Sequence, residues 1–360
     1  MTEARGNVIV GQSGGPTAVI NSSLAGVFKT AKDRGAKKVY GMLHGIQGLL
    51  QERCVDLEEH IKSDLDIELL KRTPSAYLGS CRFKLPEICD DRDIYDKIFS
   101  ILDKLKVEYF FYIGGNDSMD TIKKLSDYSL LNGSKIRFMG VPKTIDNDLA
   151  ATDHTPGYGS AAKYIGAITK EVIRDGLVYD QQNVTILEIM GRNAGWLTGA
   201  AALAKGEDCE GPDMLFLPEV TFDVDSFMKK VEELHKKKAS VVVAVSEGVK
   251  LADGRYVCEL TDGIEFVDAF GHKQLTGTAR FLAEKINREV GCKTRAIEFN
   301  SLQRCASHIV SRVDITEAFQ VGGAAVKEAF EGETGKMIIL KRVSDDPYVC
   351  VTDIYDVHKV

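Results

Sequence analysis

Apolar residues in this chain gather in short, nearly continuous runs, and most of the runs end at glycine or another turn residue. Residues 7–11, 38–43, 107–112 and 135–140 form a first series, and residues 183–190, 213–217, 240–245 and 295–299 a second. Runs of this length, rich in Val, Ile, Phe and Tyr, predict strands covered on both faces, as in parallel sheets. Between them lie stretches with the 3.6-residue period of amphipathic helices, among them residues 18–28 and a helix over 161–174 capped by Ser160. Strand and helix therefore alternate, which predicts an α/β fold of two Rossmann-like, doubly wound domains. At roughly 100 to 200 residues per domain, 360 residues suggest two. The division is expected as residues 1–158 plus about 303–345, and residues 159–302 plus about 346–360, with the strand-like runs 337–340 and 348–351 closing either sheet.

Composition narrows the partners. The net charge of −7 argues against a nucleic-acid or anionic-membrane surface, because phosphate-backbone binders carry a basic excess. No window approaches the roughly 20 apolar residues of a membrane span, and residues 1–6 lead into a strand without a signal-peptide core, so a cytoplasmic protein is expected. The eight cysteines are scattered with no Cys-x-x-Cys pair and read as reduced, mostly core thiols, with neither zinc nor disulfide implied.

The candidate chemistry sits where the strands end, the edge at which open α/β sheets bind ligands. Gln12-Ser13-Gly14-Gly15-Pro16-Thr17 joins a strand to a helix start, an arrangement whose N–H groups and dipole favour anions. It fits neither the dinucleotide fingerprint nor the P-loop. Gly114-Gly115-Asn116-Asp117-Ser118 is a second glycine turn. Lys143-Thr144-Ile145-Asp146-Asn147-Asp148 places two carboxylates two residues apart beside a lysine, supplying a candidate base and candidate metal ligands. Arg82 lies in the small-residue turn 77–83, while Arg192, Glu247, Arg295 and Arg304 end later strands and suit an anionic polyol. His154 reads as structural, since no second His or Cys lies at ligand spacing.

In order from Val8 to about Ala325, these stretches resemble the phosphofructokinase family. The marks are Ser13-Gly14-Gly15, Gly79-Ser80-Cys81-Arg82-Phe83, Gly114-Gly115-Asn116-Asp117-Ser118, Thr144-Ile145-Asp146-Asn147-Asp148, Met190-Gly191-Arg192-Asn193-Ala194-Gly195, Ser246-Glu247-Gly248, and Arg295 followed by Gln303-Arg304. The pyrophosphate-dependent branch is the more similar. Where ATP-using members have glycine, this chain has Asp117 and Lys143. A carboxylate at 117 would face a nucleotide's α-phosphate; at about 4 Å and an effective dielectric near 20 the repulsion is roughly 4 kcal/mol, about a thousandfold in affinity. Lys143 adds positive charge suited to compact pyrophosphate.

The resemblance implies transfer of a phosphoryl group from pyrophosphate to the 1-hydroxyl of fructose 6-phosphate, in a cleft between a donor-binding domain and a sugar-binding domain. It assigns Asp146 as base, with Lys143, Thr144 and Arg192 catalytic beside it. Gly14, Arg82, Gly115, Asn116, Asp117 and Ser118 would hold the donor. Thr144, Asp146, Asp148, Met190, Gly191, Arg192, Glu247, Arg295, Ser301 and Arg304 would hold the sugar phosphate. Mg²⁺ would bridge the donor oxygens, with Asn116, Asp117, Asp146 and Asp148 as candidate ligands. A homodimer or homotetramer is implied. Three departures stand out: Asn116 replaces an acidic metal-associated residue, Ser301 a histidine near the sugar phosphate, and Asn183 an arginine that reaches the neighbouring subunit. Ala25 and Lys29 replace two effector-binding arginines, so little response to ADP or phosphoenolpyruvate is expected. The rival readings are an ATP-dependent kinase of the same fold and a non-catalytic regulatory subunit.

Overall fold

The computed structural model describes residues 6–260 and 275–360. The chain forms two compact units, Met1–Ser160 with Val310–Val360, and Ala161–Ile309. The first contains β1 (Asn7–Gln12), α1 (Ile20–Asp33), β2 (Val39–Met42), α2 (Gly45–Leu50), β3 (Cys54–Asp56), α3 (Asp64–Arg72), α4 (Arg92–Lys104), β4 (Val107–Gly114), α5 (Asn116–Leu131) and β5 (Arg137–Pro142). Helix α6 (Tyr158–Gly176) carries the chain past the division. The second unit holds β6 (Asn183–Ile189), α7 (Trp196–Gly199), β7 (Met214–Phe216), α8 (Val224–His235), β8 (Ser240–Ser246), α9 (Thr278–Val290), β9 (Lys293–Glu298) and α10 (Leu302–Cys305). The chain then completes the first with α11 (Arg312–Glu331), β10 (Lys336–Asp345) and β11 (Tyr348–Asp356).

The first sheet runs β11-β10-β5-β4-β1-β2-β3, parallel through its five central strands, with an antiparallel strand at either edge. Alternate residues of each central strand enter opposite cores, as period two requires. Val8, Phe111, Met139 and Ile338 pack with α1, α3 and α11, whereas Ile9, Phe110, Phe138 and Met337 pack with α4 and α5. The β1–β2 connection leaves to one side of β1 and the β4–β5 series lies on the other, so the switch point falls between β1 and β4. The second sheet, β7-β8-β6-β9, is wholly parallel.

The doubly wound expectation holds for both units. The tail does not follow the predicted division. Residues 346–360 belong to the first unit, because β11 pairs antiparallel with β10 from Lys336↔Asp356 to Asp345↔Tyr348. Sequence alone placed β11 poorly, since its residues are half exposed and carry no deep-core pattern. The helix expected at 161 begins at Tyr158, and Ser160 does not cap it. Asp314 of α11 does that work, accepting from the N–H groups of Gly157 and Ser160 at 2.9 Å each and from Ser160 Oγ at 2.5 Å. Of the eight free cysteines only Cys81, Cys209, Cys258 and Cys292 are buried, fewer than expected.

Helices α1 and α11 touch backbone to backbone. A Cβ on Gly26 would lie 2.1 Å from Phe319 O, and one on Gly322 2.1 Å from Ser23 O. Ser22 Oγ donates to Ile315 O at 2.6 Å across the same seam. Among the described residues no helix is long and apolar enough to cross a membrane.

Candidate active site

In the first unit the three predicted turns converge at the carboxyl ends of β1, β4 and β5. Ser13 N donates to Ile113 O at 2.9 Å, and Lys143 N to Gly114 O at 2.9 Å, so neighbouring strands hold the turns edge to edge. Gly14 adopts φ +75°, a conformation other residues rarely take. The turn with Arg82 joins them: Gly14 N donates to Cys81 O at 3.0 Å, and Ser80 Oγ to Gly14 O at 2.6 Å. This corrects one expectation, because the Gly14 N–H is taken by Cys81 and is not offered to a phosphate. A second correction concerns α1. It starts at Ile20, and its first turn is wholly buried, with Asn21 Oδ1 accepting from Tyr77 N and Gln12 Nε2. The part of this motif that reaches solvent is the half-exposed Gly14-Gly15-Pro16 turn.

Lys143 is buried, and its Nζ donates to Gly15 O, which puts the ammonium group against the glycine turn. Gly115 caps α5, so Asn116 and Asp117 occupy the first turn, where N–H groups lack intrahelical partners and the dipole is positive. Ser118 is buried beneath Gly114; a Cβ there would lie 1.9 Å from Ser118 Oγ. Asn116 Nδ2 donates to Asp148 Oδ2 at 3.0 Å, bringing two of the four candidate metal ligands together.

The 144–148 segment is folded on itself. Asp146 N donates to Thr144 Oγ1 at 3.1 Å, and Asn147 takes φ +56°. Asn147 Oδ1 then accepts from Thr155 N at 3.0 Å, while Thr155 Oγ1 donates to Thr144 O at 2.8 Å. Much of Asp148 is exposed, yet desolvation by the surrounding protein raises its carboxyl pKa. Hydrogen bonds from its own backbone, Thr144 and Asn116, and the charge of Lys143, oppose that shift without cancelling it.

In the second unit Met190 and Gly191 leave β6, and Glu247 leaves the adjacent β8. Glu247 N donates to Ile189 O at 2.9 Å, and Glu247 Oε1 accepts from Gly191 N at 3.4 Å. Gly191 has φ +125°, and Gly248 packs so closely that a Cβ would lie 2.0 Å from Arg192 O. Arg192 is thus fixed beside Glu247. Buried Gln303 accepts from Met190 N through Oε1 at 3.3 Å, bringing α10 and Arg304 to the same strand end. Ser301 is exposed, one residue before α10.

Arg295 departs from expectation. It lies inside β9, opposite Thr185, exposed and paired with Asp175 Oδ2 at 2.9 Å. It is not a strand-end residue grouped with Arg192 and Glu247, because β9 begins at Lys293, two residues earlier.

Two buried polar residues escaped the sequence reading. Gln12 bridges β1 to the Arg82 turn, accepting from Leu78 N at 2.9 Å. Glu188 lies in β6 and accepts from Gly277 N at 3.2 Å and Ala279 N at 2.7 Å, capping α9; burial pushes its carboxyl up to about 7. Glu188 interrupts the apolar run of β6 and Gln12 closes that of β1, which is the signal that was available.

Parallel sheets that carry glycine turns, a buried lysine and paired carboxylates at their strand ends are the build of an α/β phosphotransferase. The sequence pattern described as Phosphofructokinase matches residues 7–329, and the chain belongs to that family. It is 40% identical over 349 residues to a pyrophosphate–fructose 6-phosphate 1-phosphotransferase from Halomonas elongata, covering 96% of this chain and 82% of that protein. It is 41% identical over 345 residues to the enzyme of the same name from Xanthomonas campestris pv. campestris, covering 95% and 81%. The crystal structure of a pyrophosphate-dependent phosphofructokinase from Nitrosospira multiformis superposes with a TM-score of 0.86 at 36% identity, covering 98% of this chain and 84% of that one.

Proposed function

We propose that this chain is an enzyme that reversibly transfers a phosphoryl group from pyrophosphate to the 1-hydroxyl of fructose 6-phosphate, giving fructose 1,6-bisphosphate and phosphate. The observation that carries the donor assignment is the buried Lys143 ammonium at Gly15, with Asp117 on the first turn of α5 one strand away. A lysine there matches the charge of a small, densely anionic donor, and a carboxylate opposes the α-phosphate of a nucleotide.

In the reading favoured here Asp146 accepts the 1-hydroxyl proton as that oxygen attacks the terminal phosphorus. The new O–P bond forms while the bridging P–O bond breaks, and the electron pair leaves with the departing phosphate. Arg82, Lys143 and Arg192 stabilise the charge on the transferred group, and Thr144 positions the Asp146 backbone. Gly115, Asn116, Asp117 and Ser118 receive the donor. Met190, Gly191, Glu247, Ser301 and Arg304 receive the sugar phosphate. Arg295, exposed on the edge strand β9, suits the sugar phosphate of a neighbouring copy in a homodimer or homotetramer.

Enzymes of this family are phosphotransferases that generally need a divalent metal, and Mg²⁺ is the ion proposed. The donor set fits a hard cation: Asp117, Asp146 and Asp148 offer carboxylate oxygens, and Asn116, whose Nδ2 donates to Asp148, keeps its carbonyl oxygen as ligand. When bound, the ion would neutralise charge on the donor oxygens.

Initial rates at saturating fructose 6-phosphate, measured with pyrophosphate and then with ATP, test the proposal. Rapid turnover with pyrophosphate alone is expected. Equal use of ATP would sink the donor assignment, and inactivity with both would favour the non-catalytic reading.

A further inference from the structure

The loop from 144 to 157 is a clasp. Its near arm carries Asp146, and its far arm, residues 152–157, holds the near arm through the two Thr155 hydrogen bonds and through Thr144 N, which donates to Pro156 O at 3.3 Å. The far arm is itself gripped from outside. Asp153 N donates to Leu340 O at 2.9 Å and Leu340 N to Thr152 Oγ1 at 2.9 Å, tying it to β10.

Helix α11 supplies two buried carboxylates one turn apart. Asp314 holds the Gly157–Ser160 end, and Glu317 holds His154. His154 Nε2 lies 2.8 Å from Glu317 Oε2, and Nδ1 lies 2.8 Å from Asp153 Oδ1. A ring with a carboxylate at each nitrogen can satisfy both only by donating twice, that is, as imidazolium. Tyr348 of β11 donates to the other oxygen of Glu317 at 2.6 Å, and Arg342 of β10 donates to Asp153 at 2.9 Å, so both carboxylates are themselves anchored. Cys350 Sγ completes the surroundings, within 4.8 Å of the His154 and Glu317 ligand atoms. Sequence spacing had isolated His154; the fold brings Glu317 and Cys350 to it.

We propose that His154, held as imidazolium by Glu317, is a positioning residue for the reaction, fixing the far arm of the clasp so that Asp146 is presented in one geometry. The inference rests on Asp146 being the base. Helix α11 also abuts α1, which follows the Gly14-Gly15 turn, so a single helix references the donor turn and the base. Among the groups facing His154, Glu317 and Asp153 favour the charged ring, Arg342 opposes it through Asp153, and the Tyr348 phenol and Cys350 thiol face it uncharged at neutral pH. The net effect lifts the His154 pKa above its ordinary value: burial works against the charged ring, and the two carboxylates outweigh burial.

Steady-state kinetics on the full chain with pyrophosphate and fructose 6-phosphate provide the test. His154→Ala is expected to lower kcat by about ten- to a hundredfold, the cost of a misplaced catalytic group, with KM for the sugar within about twofold. On an Asp146→Asn background the same change should cost less than about twofold more, because the clamp acts only through Asp146. Glu317→Gln, which keeps the side chain's size, should lower the His154 pKa and so move the alkaline limb of the kcat profile to lower pH, a shift that mere loosening would not produce. It also serves if His154→Ala fails to fold. An unchanged kcat in His154→Ala, a full multiplicative loss on the Asp146→Asn background, or an unmoved alkaline limb in Glu317→Gln would overturn the proposal. Asp146→Asn at wild-type rate would instead overturn the base assignment.

Discussion

At the strand ends of the first unit the candidate segments are bonded to one another. Lys143 reaches Gly15, Asn116 reaches Asp148, Asn147 reaches Thr155, and the Arg82 turn is bonded to Gly14. In the second unit part of the candidate set lies open to solvent. There Glu247 and Gln303 brace the Met190-Gly191 turn, while Arg295, paired with Asp175, lies exposed in β9 and Ser301 lies exposed just before α10. The difference matches the two tasks proposed. Groups that meet developing charge gain from being fixed beforehand, since nothing then reorganises during transfer. Groups that hold a bound phosphate can be ordered by the ligand, at some cost in affinity.

Substitutions in the tightly built region should therefore give the larger effects. Asp146→Ser is expected to lower kcat by about a thousandfold or more while sugar affinity, read by equilibrium titration, changes little; a wild-type rate would remove the base from the scheme. Next in size is the donor preference. Replacing Asp117 and Lys143 together by glycine should raise the ratio of ATP to pyrophosphate turnover by up to about a thousandfold. Asp314→Ala leaves two backbone N–H groups and the Ser160 hydroxyl buried without their acceptor, a loss of about 3 kcal/mol on denaturant unfolding.

The smallest effect belongs to the second unit. The Glu188 carboxyl keeps its proton up to about 7 in the fold, against the ordinary 4.5 when unfolded. Because its folded pKa is raised, folding grows less favourable as pH rises through that window. From about pH 5.5 to pH 8 the loss should reach about 2 kcal/mol relative to Glu188→Gln, which has no proton to release. Parallel denaturation curves of the two proteins would show it, and curves that stay parallel across that range would contradict the assignment.

Most strands and the strand-end turns were legible in the sequence, because a buried parallel strand leaves an apolar run and its exit carries glycine, as after β1, β4 and β6, or a cluster of polar residues, as after β5. What escaped was long-range. Strand β3 is three half-buried residues, too short to show a period. The placement of β11 depended on a partner strand, not on its own residues. Asp314 and Glu317 look in sequence like the solvated face of α11, and only the fold reveals that residues 154 to 160 lie over them. Arg295 looks like a strand end in sequence because the apolar run begins only at Ala296, whereas β9 begins at Lys293.

The glycine seam between α1 and α11 has a consequence for how this protein can change. Two helices that meet through bare main chain have no cushion of side chains to slip on, so a shift of one is transmitted to the other without attenuation. Adjusting the Gly14-Gly15 turn while leaving the 144–157 loop untouched would require loosening that seam first, and the two are therefore expected to tolerate mutation only as a pair.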